Sequence, residues 1–130
     1  MSAKRTTPGP RGFTLVELLV VLAIIATLLS LAAPKFFDSH ERAKEAALRT
    51  DLRVMREAID KYRADTGRWP ENLEQLAVAR YVRSIPIDPI TDRADTWQSV
   101  PVPDGVTPGV YDVRSGAASL ARDGTSFAGW

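Results

Sequence analysis

The sequence predicts an α+β protein: one long N-terminal α-helix packed on a small antiparallel β-sheet. Three observations lead there. An uncharged apolar run extends from Leu18 to Ala33, an apolar stripe at helical spacing continues beyond Pro34, and a turn-rich second half holds two short segments with strand character. At 130 residues the chain has room for one ordinary domain, part of it committed to the apolar run, so the core elsewhere is small. With no cysteine, neither a disulfide framework nor a thiolate metal site is available. The formal net charge is +1. Residues 1–12 hold three of the 17 basic residues and no acidic one, leaving 14 against 16 acidic, a net charge of −2 on the remainder. Such a balance gives no electrostatic footprint for nucleic acid.

Residues 1–12 (MSAKRTTPGPRG) are basic and rich in Pro and Gly, and read as an unstructured leader. Residues 13–37 follow as a transmembrane helix. Its uncharged stretch is relieved only by Thr27 and Ser30, and from Phe13 to Phe37 a helix rises about 37 Å against a hydrocarbon core of about 30 Å. A buried core helix would need a globular body able to wrap it on all sides, and too few residues remain. Residues 38–66 read as an amphipathic continuation. Leu48, Leu52, Met55, Ile59 and Tyr62 recur at spacings of four and three, with Ala47, Val54 and Ala58 alongside. Arg42, Arg49, Arg53, Arg56 and the acidic residues among them fill the other faces as a mixed-charge, solvated surface. The helix is expected to end near Asp65 or Thr66, since Gly67 can take the left-handed cap and Pro70 follows. If the two segments join, the helix is roughly 80 Å long. Pro34 removes a backbone donor from its interior and is expected to kink it near the membrane boundary.

Residues 67–130 form the remaining small α+β domain. Leu73, Leu76 and Val78 mark a short helix, strands are expected around Thr96–Val100 and Val110–Arg114, and Asp104-Gly105 and Asp123-Gly124 supply turns. Catalytic constellations are missing: there is no GxSxG, phosphate loop or HExxH, and nothing specific supports an enzyme. His40 has no second histidine with which to share a metal. Asp88, Asp92 and Asp95 do not match the EF-hand spacing and read as turn-forming and capping residues.

One residue resists the structural reading. Glu17 places a carboxylate at the head of the apolar run, where an isolated ionised group costs at least a few kcal/mol unless it is paired, neutralised or able to snorkel to the headgroups.

The stretch "GFTLVELLVVLAII" resembles the class III signal of type IV pilins and type II secretion pseudopilins. The likeness continues through Pro34, "YRADTGRWP", "IPIDP" and "GVYDVRSG…DGTSFAGW", the last three being similar to segments of major pseudopilins of the G-like kind. The resemblance implies that a prepilin peptidase cuts between Gly12 and Phe13 and methylates the new Phe13 amine. It also implies that Glu17 of one subunit meets the Phe13 amine of a neighbour during assembly. By the same resemblance the chain is stored in the bacterial inner membrane as a single-pass protein with its C-terminal domain in the periplasm. It then polymerises through its N-terminal helix, with identical subunits and minor pseudopilins, on a secretion assembly platform. The resulting pseudopilus drives protein export through an outer-membrane secretin, and the subunit is a structural protein rather than an enzyme.

Major pseudopilins of this kind hold calcium in the C-terminal loop. In the stretches that resemble the ligating ones, Ala118 and Ser126 stand where aspartates are expected, leaving Asp123 as a weak candidate ligand, with the direction of Asp112 open. The expectation is therefore that calcium is possible but disfavoured, that no other cofactor is required, and that Phe127 and Trp130 hold the loop by packing. Two alternatives use different machinery. A type IV pilus subunit shares the N-terminal chemistry but often carries a C-terminal disulfide loop. A secreted soluble protein would be cut by a conventional signal peptidase after Ala32, against which the charge of Glu17 inside the apolar region argues.

Overall fold

The computed structural model describes residues 2–130; Met1, the first residue of the expected leader, lies outside the described residues. Residues 2–14 carry no regular secondary structure. Helix α1 then runs from Leu15 to Thr66, followed by α2 (Leu73–Val78), strands β1 (Gln98–Pro101) and β2 (Val110–Arg114), and a 3₁₀ turn at Phe127–Gly129. The architecture is α+β, with a two-stranded antiparallel sheet. The chain divides into two units, one ending at Asp38 and the other spanning Ser39–Trp130.

In the first unit α1 is apolar on every side and none of that surface is covered by the chain: Leu15 is 74% exposed and Leu31 72%. Thr27 and Ser30 satisfy their hydroxyls within the helix, donating to the Ala23 and Thr27 carbonyls at 2.8 and 2.7 Å. Pro34 lies inside α1, and helical structure continues through it.

In the second unit the apolar stripe of α1 is the core. Leu48, Leu52, Met55, Ala58 and Ile59 are buried against Leu73, Leu76, Trp97, Val110, Val113 and Phe127. Each fully buried large side chain contributes about 1.5–3 kcal/mol. Ala47 and Val54, counted beside the stripe by spacing, are exposed, as is Val78 at the end of α2. They sit on the flanks, where an apolar side chain is tolerated without being covered.

The ends of these elements follow from local chemistry. Helix α1 stops where Gly67 adopts φ +73°, its amide donating to the Arg63 carbonyl at 3.0 Å. Asn72 caps α2, accepting from the Gln75 amide at 2.9 Å, while the Gln75 side chain accepts from the Glu71 amide at 2.7 Å. Strand β1 begins at Gln98, two residues later than its composition suggests. The reason is Trp97, whose indole is buried and donates to the Pro86 carbonyl at 2.8 Å, which fixes the chain there before pairing begins. Strand β2 spans Val110–Arg114 as expected, and Ser99 pairs with Val113 across the sheet. Its start is anchored by the Val110 amide, which donates to the Pro70 carbonyl at 2.7 Å.

Candidate assembly segment and C-terminal loop

Gly12 and Phe13 lie just before α1, both exposed, with Phe13 87% so. The helix begins two residues beyond the expected cleavage position because Thr14 caps it. The Thr14 carbonyl accepts the first helical bond, from the Leu18 amide at 3.2 Å, and Thr14 Oγ1 accepts from the Glu17 amide at 3.1 Å. Glu17 returns the contact, its Oε2 accepting from the Thr14 amide at 3.4 Å. This is a reciprocal capping box, and a carboxylate in the first turn is favoured there by the helix dipole. Spacing alone could have revealed it, since "TLVE" has the Thr-x-x-Glu signature of such a box. Glu17 thus has a partner within its own chain, which is one physical reason for a carboxylate at the head of an apolar helix. Its Oε1 remains available for a second donor.

Asp88, Asp92 and Asp95 lie in the turns between α2 and β1. Asp88, fully buried, accepts from the Ile90 and Thr91 amides at 2.8 and 3.3 Å and from the Ser115 hydroxyl at 2.5 Å. Asp95 is bound in a fork by Arg93, which holds its carboxyl below the usual range. Asp92 takes a left-handed conformation at φ +56°. His40 is an exposed residue of α1.

Near the C-terminal end, Asp123 Oδ1 accepts from both the Thr125 hydroxyl (2.6 Å) and the Thr125 amide (2.9 Å). These bonds, with Arg49 nearby, lower the Asp123 pKa. Ser126 pairs with Leu120 in an isolated β-bridge, and Ala118 offers no side-chain ligand. Asp112, whose direction the sequence left open, turns its carboxylate onto Arg56, with Nε to Oδ1 at 2.7 Å. Calcium takes six to eight oxygens with carboxylates among them. Among the described residues no group of three or more His, Cys, Asp and Glu side chains is placed to hold a metal ion. Of the residues expected near such an ion, Asp123 alone carries a carboxylate, and it already accepts from Thr125.

The charged flank of α1, expected to be no more than a solvated surface, includes residues that bind the rest of the unit. Arg56 Nη2 donates to the Val113 and Trp130 carbonyls at 3.0 and 2.7 Å. The Arg49 guanidinium lies 3.9 Å from the centroid of the Trp130 ring. Phe127 and Trp130 do pack together, edge to face at 4.9 Å, but the arginines add polar contacts that no local pattern announces.

A family model described as the prokaryotic N-terminal methylation motif matches residues 9–33. The chain is 32% identical over 101 residues to the type II secretion system core protein G of Escherichia coli, covering 65% of this chain and 70% of that protein. It is 33% identical over 95 residues to the Klebsiella pneumoniae protein of the same name, covering 61% and 68%. A type IV major pilin protein, PilA of Myxococcus xanthus, is 32% identical over 79 residues, covering 61% of this chain but 36% of the pilin. No solved structure matches the chain significantly.

Proposed function

This chain belongs to the family of type II secretion system core protein G, and we infer from that membership that it is a structural subunit of the secretion pseudopilus. The observation that carries the reading is a methylation motif over residues 9–33 leading into a helix apolar enough to span a bilayer, none of whose spanning window is buried by the chain. A helix uncovered by its own protein needs lipid or other helices around it. The chain is accordingly a membrane-anchored, single-pass protein.

In the proposed cycle a prepilin peptidase cuts between Gly12 and Phe13 and methylates the Phe13 amine. The chain waits in the inner membrane with residues 39–130 in the periplasm. Assembly then brings the Phe13 ammonium of one subunit to Glu17 of another, a charge pair formed in a low-dielectric setting, which fixes the stagger between subunits. Pro34 provides a point of flexure beyond the most apolar part of the helix. Cohesion comes from helix packing, and the small domain forms the outer surface. Its partners are identical subunits, minor pseudopilins, the assembly platform and the secretin, with protein export across the outer membrane as the result. The subunit performs no bond chemistry. Coverage favours this reading over a type IV pilin, since the chain aligns with 70% of the Escherichia coli secretion protein and 36% of the Myxococcus pilin.

The test is expression with the peptidase and secretion apparatus, followed by shearing and mass spectrometry. Sheared filaments containing a chain that begins at methylated Phe13 are expected. A soluble periplasmic product beginning at Ala33 would overturn the proposal in favour of a conventionally secreted protein.

A further inference from the structure

We propose that two arginines of α1, Arg49 and Arg56, fasten the C-terminal loop where the resembling family employs calcium, so that this subunit folds independently of the metal. The inference rests on the pseudopilin reading only for the expectation of a metal; the contacts stand by themselves.

Arg49 and Arg56 are seven residues apart, two turns along one side of α1. Trp130 is held by both: Arg49 covers its ring at 3.9 Å, and Arg56 Nη2 binds its carbonyl at 2.7 Å. Arg56 simultaneously grips strand β2 through the Asp112 carboxylate and the Val113 carbonyl, so one guanidinium joins α1, β2 and the C-terminal residue. This is the fixed fork geometry that makes arginine, and not lysine, suited to several acceptors at once. From Trp130 the chain of contacts continues back along the loop. The indole Nε1 donates to Thr125 Oγ1 at 2.9 Å, and the Thr125 hydroxyl donates to Asp123 Oδ1 at 2.6 Å. The other end of the loop is tied to the same helix by the Arg122 amide, which donates to Glu45 Oε1 at 2.7 Å.

A calcium ion in such a loop would serve two purposes: it would gather oxygen ligands from separated positions and neutralise carboxylates. Here Thr125 and Trp130 gather the segment, and the positive charge near Asp123 is supplied by Arg49. A divalent cation brought to the loop would meet one carboxylate already engaged by Thr125 and a guanidinium in the vicinity. The lack of a carboxylate at Ala118 and Ser126, where the resemblance implies aspartates, and the clamp by Arg49 and Arg56 are therefore two sides of one arrangement.

The experiment uses the full chain in detergent micelles. Thermal unfolding is followed by tryptophan fluorescence in millimolar calcium and in chelator, and terbium is titrated as a calcium surrogate sensitised by Trp130. Wild type is expected to unfold at the same temperature in both solutions and to give no saturable terbium emission. Arg56→Lys keeps the charge but loses the fork, and is expected to lower Tm by roughly 4–8 °C in both solutions alike. Should that variant fail to fold, Thr125→Val breaks the link from Trp130 to Asp123 and is expected to lower Tm equally in calcium and chelator. A calcium-dependent rise of several degrees in wild type, saturable terbium emission, or unchanged Tm in the folded variants would overturn the proposal. None of these outcomes depends on filament formation, so the clamp can fail while the pseudopilin reading stands, and the reverse.

Discussion

Thr14 and Glu17 satisfy one another across the first turn of α1, each side chain accepting from the other's amide. The pair gives Glu17 two separable tasks. As a capping residue it satisfies the Thr14 amide, a task a neutral glutamine can also perform. As a charge it would, in the proposed assembly, answer the ammonium that cleavage after Gly12 creates. Glu17→Gln should therefore preserve membrane insertion and processing but lose filament yield, while Thr14→Val should fray the helix start, at a cost of about 0.5–2 kcal/mol, and leave the charge in place. The measurement is the yield of sheared filaments. Wild-type yield from Glu17→Gln would mean that the carboxylate acts only as a cap or snorkels to the headgroups.

Processing makes a second prediction. Gly12 is exposed and a Cβ there would meet nothing within 4 Å, so the folded chain places no limit on its side chain. Any effect of enlarging it must come from the peptidase. Gly12→Val is expected to accumulate as an uncleaved precursor, visible by intact-mass measurement. Maturation at Phe13 despite the substitution would remove Gly12 from the cleavage site.

Orientation is a third. Lys4, Arg5 and Arg11 precede the apolar run and Lys35, Arg42 and Lys44 follow it, so flanking positive charge is balanced and does not decide topology. On the pseudopilin reading proposed above, the second unit lies in the periplasm. A phosphatase reporter fused after Trp130 should be active, and an inactive one would reverse the assignment.

How far the sequence could be read depended on the range of each interaction. The end of α1 was legible because Gly67 and Pro70 act on their own neighbours, and the core stripe from Leu48 to Ile59 was legible because helical spacing repeats every turn. The C-terminal loop could be read only by residue type: Asp123 could be counted without knowing that Thr125 binds it. The Arg56 contacts were not legible, since Asp112 lies 56 residues away and an arginine bound to it has the same local pattern as one facing water. Trp97 was misplaced in a strand for a related reason. Its β propensity is local, whereas the Pro86 carbonyl that captures it is brought near only by the fold.

A fourth prediction concerns the junction after β2. A Cβ on Gly116 would lie 1.8 Å from the Thr96 carbonyl oxygen, and because that atom is backbone it cannot rotate aside. Gly116→Ala should separate the two segments and destabilise the second unit by about 1–3 kcal/mol. Gly129→Ala, where a Cβ meets nothing within 4 Å, is the matched control and should stay within about 0.5 kcal/mol of wild type. Equal urea midpoints for the two variants would refute the close approach.

Asp51, half-buried on α1, carries the last prediction. Burial pushes its carboxyl pKa up, and the negative charge of Asp88 adds to the effect. A folded-state pKa above the unfolded one means that the native chain holds the proton more tightly, so ionisation of Asp51 removes stability as pH rises through the raised value. Asp95, Asp104 and Asp123 have lowered pKa values, from hydrogen bonds with Arg93, Thr107 and Thr125 respectively. Their contribution has the opposite sign: it is present above the ordinary carboxylate range and is lost as pH falls through their lowered values. Asp51→Asn removes the unfavourable ionisation alone. The variant should unfold at a higher urea concentration than wild type at neutral pH, and the gap should close below about pH 3, where the wild-type carboxyl is mostly protonated in both states. Coincident midpoints at neutral pH would show that Asp51 is ionised at no cost to the fold.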